Sequence, residues 1–174
     1  MTIKIELISK SELADESFNI VINGLKPRET YRVEMYLTDY YCINAPMLLA
    51  HDVLWRSTGT FVSDKNGIID ISQTPSCSGS YEGISTMGLF FNAKSLTNER
   101  KKLPNSLSEI PLLDHFFVGI KIMQGNTVIA ERTFTRHYMS SQISHQDIYG
   151  KHFQGRLFYD KKAIKTPSID YCER

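Results

Sequence analysis

Apolar and polar residues alternate with a period of two along most of this chain, and this alternation limits the folds that it can adopt. Successive side chains of a β-strand point to opposite faces, so the period predicts strands that each bury one face. The clearest examples are Ile3, Ile5 and Leu7, then Phe18, Ile20 and Ile22, and then Tyr31, Val33, Met35 and Leu37. With turn signals between them and no long amphipathic helix, these segments predict an all-β, antiparallel β-sandwich of about 7–9 strands.

Two turns separate consecutive predicted strands. Gln124-Gly125-Asn126 separates an apolar run at 116–123, predicted as a central strand buried on both faces, from a strand at 128–134. This pair is the clearest hairpin of the sequence. Asp64-Lys65-Asn66-Gly67 is predicted as a hairpin-type turn, because Asn and Gly accept a positive φ. A short strand at 68–71, a long polar loop and an apolar strand at 87–91 are expected to follow.

Three features indicate where a ligand or a partner could bind. Trp55 is predicted to be the large aromatic residue of the core, and its alternative role is a platform on which a ligand stacks. Two long connections, at 40–53 and 96–113, interrupt the strand pattern and are predicted to be surface loops. Loops on a rigid β-scaffold often carry binding residues, so these two are the first places to look for a contact surface.

Size, charge and cysteine usage define the class of protein. A chain of 174 residues, 41% of them hydrophobic, can bury a core without disulfides or metals. The formal net charge of +1 argues against a general nucleic-acid binder. Cys42, Cys77 and Cys172 are widely spaced, which indicates free thiols in a reducing compartment. The sequence has no signal-peptide pattern and no run long enough to span a membrane, so we expect a cytoplasmic protein.

The composition changes after residue 138, and we predict two segments. Residues 1–138 are predicted to form the β-sandwich domain, and residues 139–174 an extended arm and a terminal strand. The polar stretch at 139–152 is the predicted arm. Phe153, Gly155, Leu157 and Tyr159 then alternate as one more strand.

No residue of the chain is predicted to be a catalytic nucleophile. An α/β-hydrolase needs a nucleophile elbow of the form G-x-S-x-G, and no such pentapeptide occurs. In Gly79-Ser80-Tyr81-Glu82-Gly83 the serine stands second instead of central, and we interpret this segment as a glycine-rich loop with Tyr81 packing over its edge. Cys77 has no base beside it in sequence and is interpreted as a loop cysteine.

The histidines and acidic residues do not form a recognisable site either. The five histidines are His51, His115, His137, His145 and His152, and none of their spacings is that of a metal motif. A metal site assembled from distant strands stays open, but no metal and no cofactor are predicted. His137 is interpreted as structural, with contact to the arm or to a neighbouring domain as the alternative. Asp64 and Asp70 are predicted to accept hydrogen bonds from backbone amides at the turn.

An ordered set of short motifs resembles the N-terminal domain of the acyl-CoA thioesterase / bile acid-CoA:amino acid N-acyltransferase family. The motifs are Asp15-Glu16, Gly24-Leu25-Lys26-Pro27, Trp55-Arg56-Ser57, Phe61, Asp64, Asn66-Gly67, Asp70, Pro75, Gly79-Ser80-Tyr81-Glu82-Gly83, Met87-Gly88-Leu89-Phe90-Phe91, Ala130, Arg132, Phe134 and Arg136-His137-Tyr138. The resemblance implies an immunoglobulin-like β-sandwich placed before an α/β-hydrolase domain that carries the catalytic triad. In such proteins a strand similar to 153–159 opens the hydrolase domain, although Asp160 stands where the pattern has Pro.

The resemblance implies a function that needs a second domain. On this hypothesis the chain is a non-catalytic module in acyl-CoA thioester metabolism, and its partner is an α/β-hydrolase domain in the same or another polypeptide. The alternative is a free-standing interaction module that binds a partner protein through the arm at 139–152, or self-associates through the edge that a missing hydrolase domain would leave exposed. An arm followed by a terminal strand is suited to pairing with the sheet edge of a neighbour. The third hypothesis, an autonomous hydrolase with an unfamiliar site, has the least support because no nucleophile and base are recognisable.

Overall fold

The computed structural model of the protein describes residues 2–40, 53–96 and 113–162. The chain divides into two compact units. The described part of the larger unit is residues 2–40, 53–96 and 113–138, and that of the smaller unit is residues 139–162. The single helix of the described residues has four residues, far fewer than a membrane-crossing helix needs.

The larger unit consists of two antiparallel sheets. Its elements are β1 (Lys4–Ser9), β2 (Phe18–Asn23), β3 (Thr30–Thr38), β4 (Trp55–Val62), β5 (Ile69–Asp70), β6 (Ser78–Gly79), α1 (Gly88–Phe91), β7 (Lys94–Ser95), β8 (His115–Gln124) and β9 (Thr127–His137). One sheet has the strand order β1-β2-β5. The other has the order β6-β4-β3-β8-β9, with β7 also paired to β4.

One hydrophobic core lies between the inner faces of these sheets. Ile3 and Leu7, which the period of two predicted to point inward, are only partly buried. The inward-facing residues that are almost completely buried come from both sheets, because each sheet covers the apolar face of the other. From the three-stranded sheet they are Ile5, Phe18, Ile20 and Ile22, and from the larger sheet Val33, Met35, Leu37, Phe61, Val118, Ile120 and Ile122. The predicted all-β, antiparallel β-sandwich is confirmed.

The hairpin of β8 and β9 is confirmed, but β8 differs from the prediction in its burial. It lies between β3 and β9 and is therefore a central strand. Only alternate residues of β8 are buried, and Phe117, Gly119 and Lys121 face outward in partial contact with solvent. The continuous apolar run therefore indicated the position of the strand in the sheet and not burial of both its faces.

Two predictions for residues 64–91 are wrong. The turn at 64–67 joins β4 to β5, which lie in different sheets, so it crosses between the sheets and closes no hairpin. Residues 88–91 form the single turn α1 and not a strand. A short apolar run does not distinguish a strand from a buried helical turn, and here the helical turn buries Gly88 and Leu89 while Phe91 is 74% exposed.

The aromatic residues of the core differ from the prediction. Among the described residues, Tyr31, Phe61 and Phe116 are the fully buried large rings, whereas Trp55 is half-buried and packs against the edge of the core. Trp55 stands at the first position of β4, where the sheet ends and cover from the opposite sheet is incomplete. The two predicted contact loops fall mostly at 41–52 and 97–112, which lie outside the described residues.

The smaller unit contains an antiparallel hairpin of β10 (Ile143–Tyr149) and β11 (Gln154–Asp160). The terminal strand was predicted at this place. The segment predicted as an extended arm has more structure than expected, because seven of its residues pair with β11. Gly150 N donates a hydrogen bond to Phe153 O at 2.9 Å and closes the turn.

Candidate functional site

Ser80, the serine of the glycine-rich loop, contributes to the backbone pairing at the edge of β4. Its Oγ accepts a hydrogen bond from Thr58 N at 2.9 Å, and its own amide donates to Thr58 O at 2.7 Å. Gly79 has a φ of +125°, and a side chain there would meet Thr58 O at 2.4 Å. Tyr81 packs on Phe61, with ring centroids 6.5 Å apart. These contacts agree with the interpretation of a structural loop.

Cys77 and the described histidines are divided between the two units. Cys77 is an exposed free cysteine, and its amide donates to Thr60 O at 2.8 Å. His145 and His152 lie in the smaller unit, and His51 and the other two cysteines lie outside the described residues. Within the part of the chain that the structure describes, no group of three potential metal ligands comes together.

His115 and His137 are brought together by the register of β8 and β9. They are direct cross-strand partners, and their ring centroids lie 6.1 Å apart. His115 Nδ1 contacts Asp114 Oδ1, and His137 Nε2 lies 3.8 Å from Glu12 Oε2. The hydrogen bond from His115 holds the pKa of Asp114 below its usual value. Both histidines therefore have carboxylate partners, which agrees with a structural role for His137.

Arg136 joins the end of β9 to the connection between β1 and β2. The residue is 1% exposed. Its Nη1 donates to Ser9 Oγ at 2.9 Å and to Ser11 O at 2.8 Å, and its Nη2 donates to the carbonyls of Leu13 and Glu16. Burial lowers the pKa of Arg136, and the nearby carboxylates of Glu12, Glu16 and Asp15 oppose this shift. The Asp15-Glu16 and Arg136-His137-Tyr138 motifs are therefore parts of one structural contact.

A second pair of motifs also meets in space. Gly67 lies against Leu25, whose amide donates to Gly67 O at 3.0 Å, and a side chain on Gly67 would stand 2.0 Å from Leu25 O. Asp64 Oδ1 accepts hydrogen bonds from Asn66 N and Ile68 N, both at 2.8 Å. The predicted amide-binding role of Asp64 is observed here, and the motifs at 24–27 and 64–67 form one corner between the sheets.

A group of charged side chains on the outer face of the larger sheet was not predicted from the sequence. We call it the Glu34 cluster, and its members are Arg32, Glu34, Tyr36, Arg56 and Lys121. Glu34 is only 4% exposed although its strand position faces outward. Its Oε1 lies 3.0 Å from both Arg32 Nε and Arg56 Nη2, and Tyr36 OH donates to its Oε2 at 2.5 Å.

The cluster is an ordered, cationic surface. Lys121 Nζ lies 5.0 Å from the centroid of the Tyr36 ring, and Arg56 Cζ lies 5.9 Å from it. Burial and the hydrogen bond to Glu34 raise the pKa of Tyr36, so the phenol remains a donor. Two arginines and a lysine, about one third to two fifths exposed, outnumber Glu34. The surface can therefore bind acidic groups through donors that Glu34 already holds in place.

The sequence contained a weak signal for this cluster. Arg32, Glu34 and Tyr36 occupy alternate positions of β3, so they were expected to share a face. An outward-facing glutamate is ordinarily solvated, however, and its burial depends on Arg56 from β4. The registers of β3 with β4 and of β3 with β8 bring Arg56 and Gly119 opposite Tyr36, and neither register can be read from a local pattern.

Comparison with known proteins identifies relatives over most of the chain. Acyl-coenzyme A thioesterase 6 of Mus musculus is 23% identical over 160 residues, which cover 89% of this chain and 35% of that protein. Acyl-coenzyme A amino acid N-acyltransferase 1 of Mus musculus is 28% identical over 94 residues, which cover 54% of this chain and 20% of that protein. The matched regions thus span at most 35% of the length of these two relatives.

A family model agrees with these relatives and with the motifs. The model described as the acyl-CoA thioester hydrolase/BAAT N-terminal region matches residues 15–149. The match begins at the Asp15-Glu16 motif and extends through the larger unit into β10. The chain therefore belongs to the family of the acyl-CoA thioester hydrolase/BAAT N-terminal region.

Proposed function

We propose that this chain is a non-catalytic N-terminal module that acts in acyl-CoA thioester metabolism only together with an α/β-hydrolase domain. The observation that carries the proposal is the family match over residues 15–149, which is to an N-terminal region. The hydrolase domain would be supplied by the same polypeptide or by another one. In this proposal residues 1–138 form the module, residues 139–174 lead into the hydrolase domain, and the compartment is the reducing cytoplasm.

The contacts of the two candidate nucleophiles support a non-catalytic role. Ser80 Oγ already accepts a hydrogen bond from Thr58 N. Cys77 is exposed and lies in a loop, and its backbone amide pairs with Thr60. A nucleophile would instead need a base within hydrogen-bond distance and a third group to orient that base. We therefore assign no catalytic residue to this chain.

The Glu34 cluster is the surface that we propose for contact with the hydrolase domain. Arginine and tyrosine are enriched in the energetic centres of protein interfaces. Glu34 holds Arg32 and Arg56 in position before any partner arrives, which reduces the side-chain entropy lost on binding. The excess of cations favours a partner surface that carries Asp or Glu.

The proposal is tested by measuring release of the CoA thiol from acyl-CoA thioesters. The purified chain alone is expected to release none above the buffer rate. A chimera in which residues 1–160 replace the matching region of the mouse acyl-coenzyme A thioesterase 6 is expected to be folded and to bind acyl-CoA through its hydrolase part. Arg56→Glu should weaken the domain contact in the chimera, whereas Lys65→Glu in the exposed turn should not. Turnover by the isolated chain would refute the proposal.

A second candidate is a free-standing module that self-associates. The observation that favours it is the smaller unit, in which β10 and β11 form a sheet of only two strands among the described residues. Two-stranded sheets are marginally stable in water and gain stability from a further strand. This candidate requires no hydrolase domain and makes a separate prediction about the mass of the purified chain.

A further inference from the structure

The outer edge of β10 presents a regular set of backbone donors and acceptors. Lys161 N donates to Gln142 O at 2.8 Å and Gly150 N to Phe153 O at 2.9 Å, which marks two hydrogen-bonded pairs of the hairpin. Hydrogen-bonded pairs alternate with non-hydrogen-bonded pairs along an antiparallel ladder. Between these two positions, the peptide groups of Ser144, Gln146 and Ile148 therefore point toward β11. Those of Ile143, His145, Asp147 and Tyr149 consequently point to the outer edge, where Ile143 N already donates to Ser140 O at 2.9 Å.

This edge lacks the features that keep edge strands from pairing. The sequence of β10, ISHQDIY, contains no proline and no lysine, and its register with β11 runs through seven consecutive pairs without a bulge. Its one carboxylate, Asp147, is already bound by Arg156 on β11, with Nε at 2.6 Å from Oδ1 and Nη2 at 3.2 Å from Oδ2. Within the described residues, β10 is thus able to accept another strand.

We propose that the β10 edge pairs with the β10 edge of a second copy of this chain, antiparallel and with the two-fold axis at Gln146. In this register His145 faces Asp147 of the second copy, and Ile143 faces Tyr149 of the second copy. All four facing pairs are formed by residues whose peptide groups point outward. Because Ile143 N already donates to Ser140 O in each copy, the junction gains about six backbone hydrogen bonds. The two-fold symmetry repeats every contact and closes the assembly at two copies.

The pairing of His145 with Asp147 favours this register over the one whose two-fold axis lies at His145. With the axis at His145, that histidine would face its own copy and Asp147 would face the apolar Ile143. With the axis at Gln146, each imidazole faces one carboxylate of the other copy, and the dimer contains two such pairs. Hydrogen bonds from Arg156 lower the pKa of Asp147, so this carboxylate is ionised at neutral pH.

The side chains next to the edge favour the same arrangement. Phe158 is the cross-strand partner of His145, and the centroids of their rings lie 6.2 Å apart, so Phe158 limits the motion of the imidazole. Tyr149 is 59% exposed in the single chain. Facing Ile143 of the second copy would cover part of this ring and add apolar burial to the backbone pairing.

The test measures the mass of the whole purified chain by light scattering during size-exclusion chromatography over a series of concentrations. The wild-type chain is expected to change from monomer to dimer as its concentration rises. His145→Glu places like charges opposite each other twice and should raise the dissociation constant about tenfold or more. His145→Pro removes an amide that points to the outer edge and should also give monomers, since the ladder with β11 does not use that amide.

His152→Glu is the matched control, because it makes the same change at an exposed histidine outside both strands. It should leave the dissociation constant unchanged. Close Hα–Hα contacts between Asp147 and Arg156 in NMR spectra should show that the hairpin persists in every variant. A wild-type chain that stays monomeric throughout the series would overturn the inference, and so would dimers that persist in both His145 variants. The measurement is independent of thioester hydrolysis, so this inference and the proposed function can fail separately.

Discussion

Arg136 and Glu16 are 120 residues apart in the sequence, and Arg136 Nη2 donates a hydrogen bond to the backbone carbonyl of Glu16 at 2.6 Å. The same guanidinium binds three further oxygens, one of Ser9 at the end of β1 and two of the connection between β1 and β2. Its Cζ also lies 5.3 Å from the centroid of the Phe18 ring in the core. One buried cation therefore fixes a loop of the three-stranded sheet to the edge strand of the larger sheet.

We predict that Arg136→Met destabilises the protein strongly. Methionine fills similar space but removes the charged donor from four oxygens. Ser11 O keeps a hydrogen bond from Ser9 Oγ and Leu13 O keeps one from Glu16 N, but each hydrogen bond to a charged group that is lost costs about 1.5–3 kcal/mol. We expect the free energy of unfolding to fall by about 3 kcal/mol or more, measured by urea denaturation.

Arg132→Met is the control for this prediction. Arg132 is exposed and donates one hydrogen bond, from Nη1 to Ile5 O at 2.7 Å. Its replacement should cost about 1 kcal/mol, because water can bind the carbonyl that it leaves. Equal effects of the two substitutions would show that Arg136 does not hold the loop as described.

Gly67→Ala is predicted to be much more damaging than Gly83→Ala. Both glycines have a positive φ, +75° and +85°, so alanine is strained at either position. At Gly67 the new Cβ would stand 2.0 Å from Leu25 O, whereas at Gly83 nothing lies within 4 Å. The Gly83 variant should lose about 1–2 kcal/mol from backbone strain alone. The Gly67 variant should lose clearly more in the same urea experiment, and similar losses would contradict the described corner between the sheets.

The sequence predicted those parts of the fold that depend on local pattern. The inward residues of β1, β2 and β3 follow a period of two, and burial on one face of a strand produces that period directly. The run at 87–91 was assigned wrongly, since five apolar residues fit a strand and a helical turn equally well. The turn at 64–67 was recognised, but the strand that pairs with β5 is β2, and the turn residues contain no information about that choice.

The candidate sites depended on contacts that no local pattern contains. The motifs around Asp15 and Arg136 were both noticed, yet their contact follows from the folding of the whole sandwich. Burial of Glu34 requires Arg56 from a neighbouring strand at a particular register. Residues that act through cross-strand partners are therefore the ones that reading along the sequence misses.

We predict that Glu34→Gln destabilises the protein by about 2 kcal/mol, because it leaves the arginines beside it without their charged acceptor. Glu131→Gln is the matched control on the same sheet face. Glu131 is 51% exposed and lies 3.4 Å from Lys121, and an exposed pair of this kind contributes about 0–1 kcal/mol. Urea denaturation of both variants measures the difference. If Glu34→Gln costs no more than Glu131→Gln, the buried carboxylate does not organise the cluster.

Tyr81→Phe is predicted to change stability at alkaline pH and to have little effect near neutrality. Burial raises the pKa of Tyr81 to about 12, and its hydroxyl makes only a long hydrogen bond, 3.5 Å, to Ser85 O. The ordinary tyrosine pKa in an unfolded chain is about 10, so the unfolded state ionises first as the pH rises. Below that pH the contribution of neutral, partly buried Tyr81 is fully present, and it is lost progressively as the pH rises from about 10 to about 12. The phenylalanine variant lacks this loss, so its urea midpoint should fall less steeply with pH than that of the wild type.

Tyr36, whose pKa is also raised, is present in both proteins and does not enter the difference. Parallel pH profiles for the two proteins would show that Tyr81 ionises equally well in the folded and the unfolded chain.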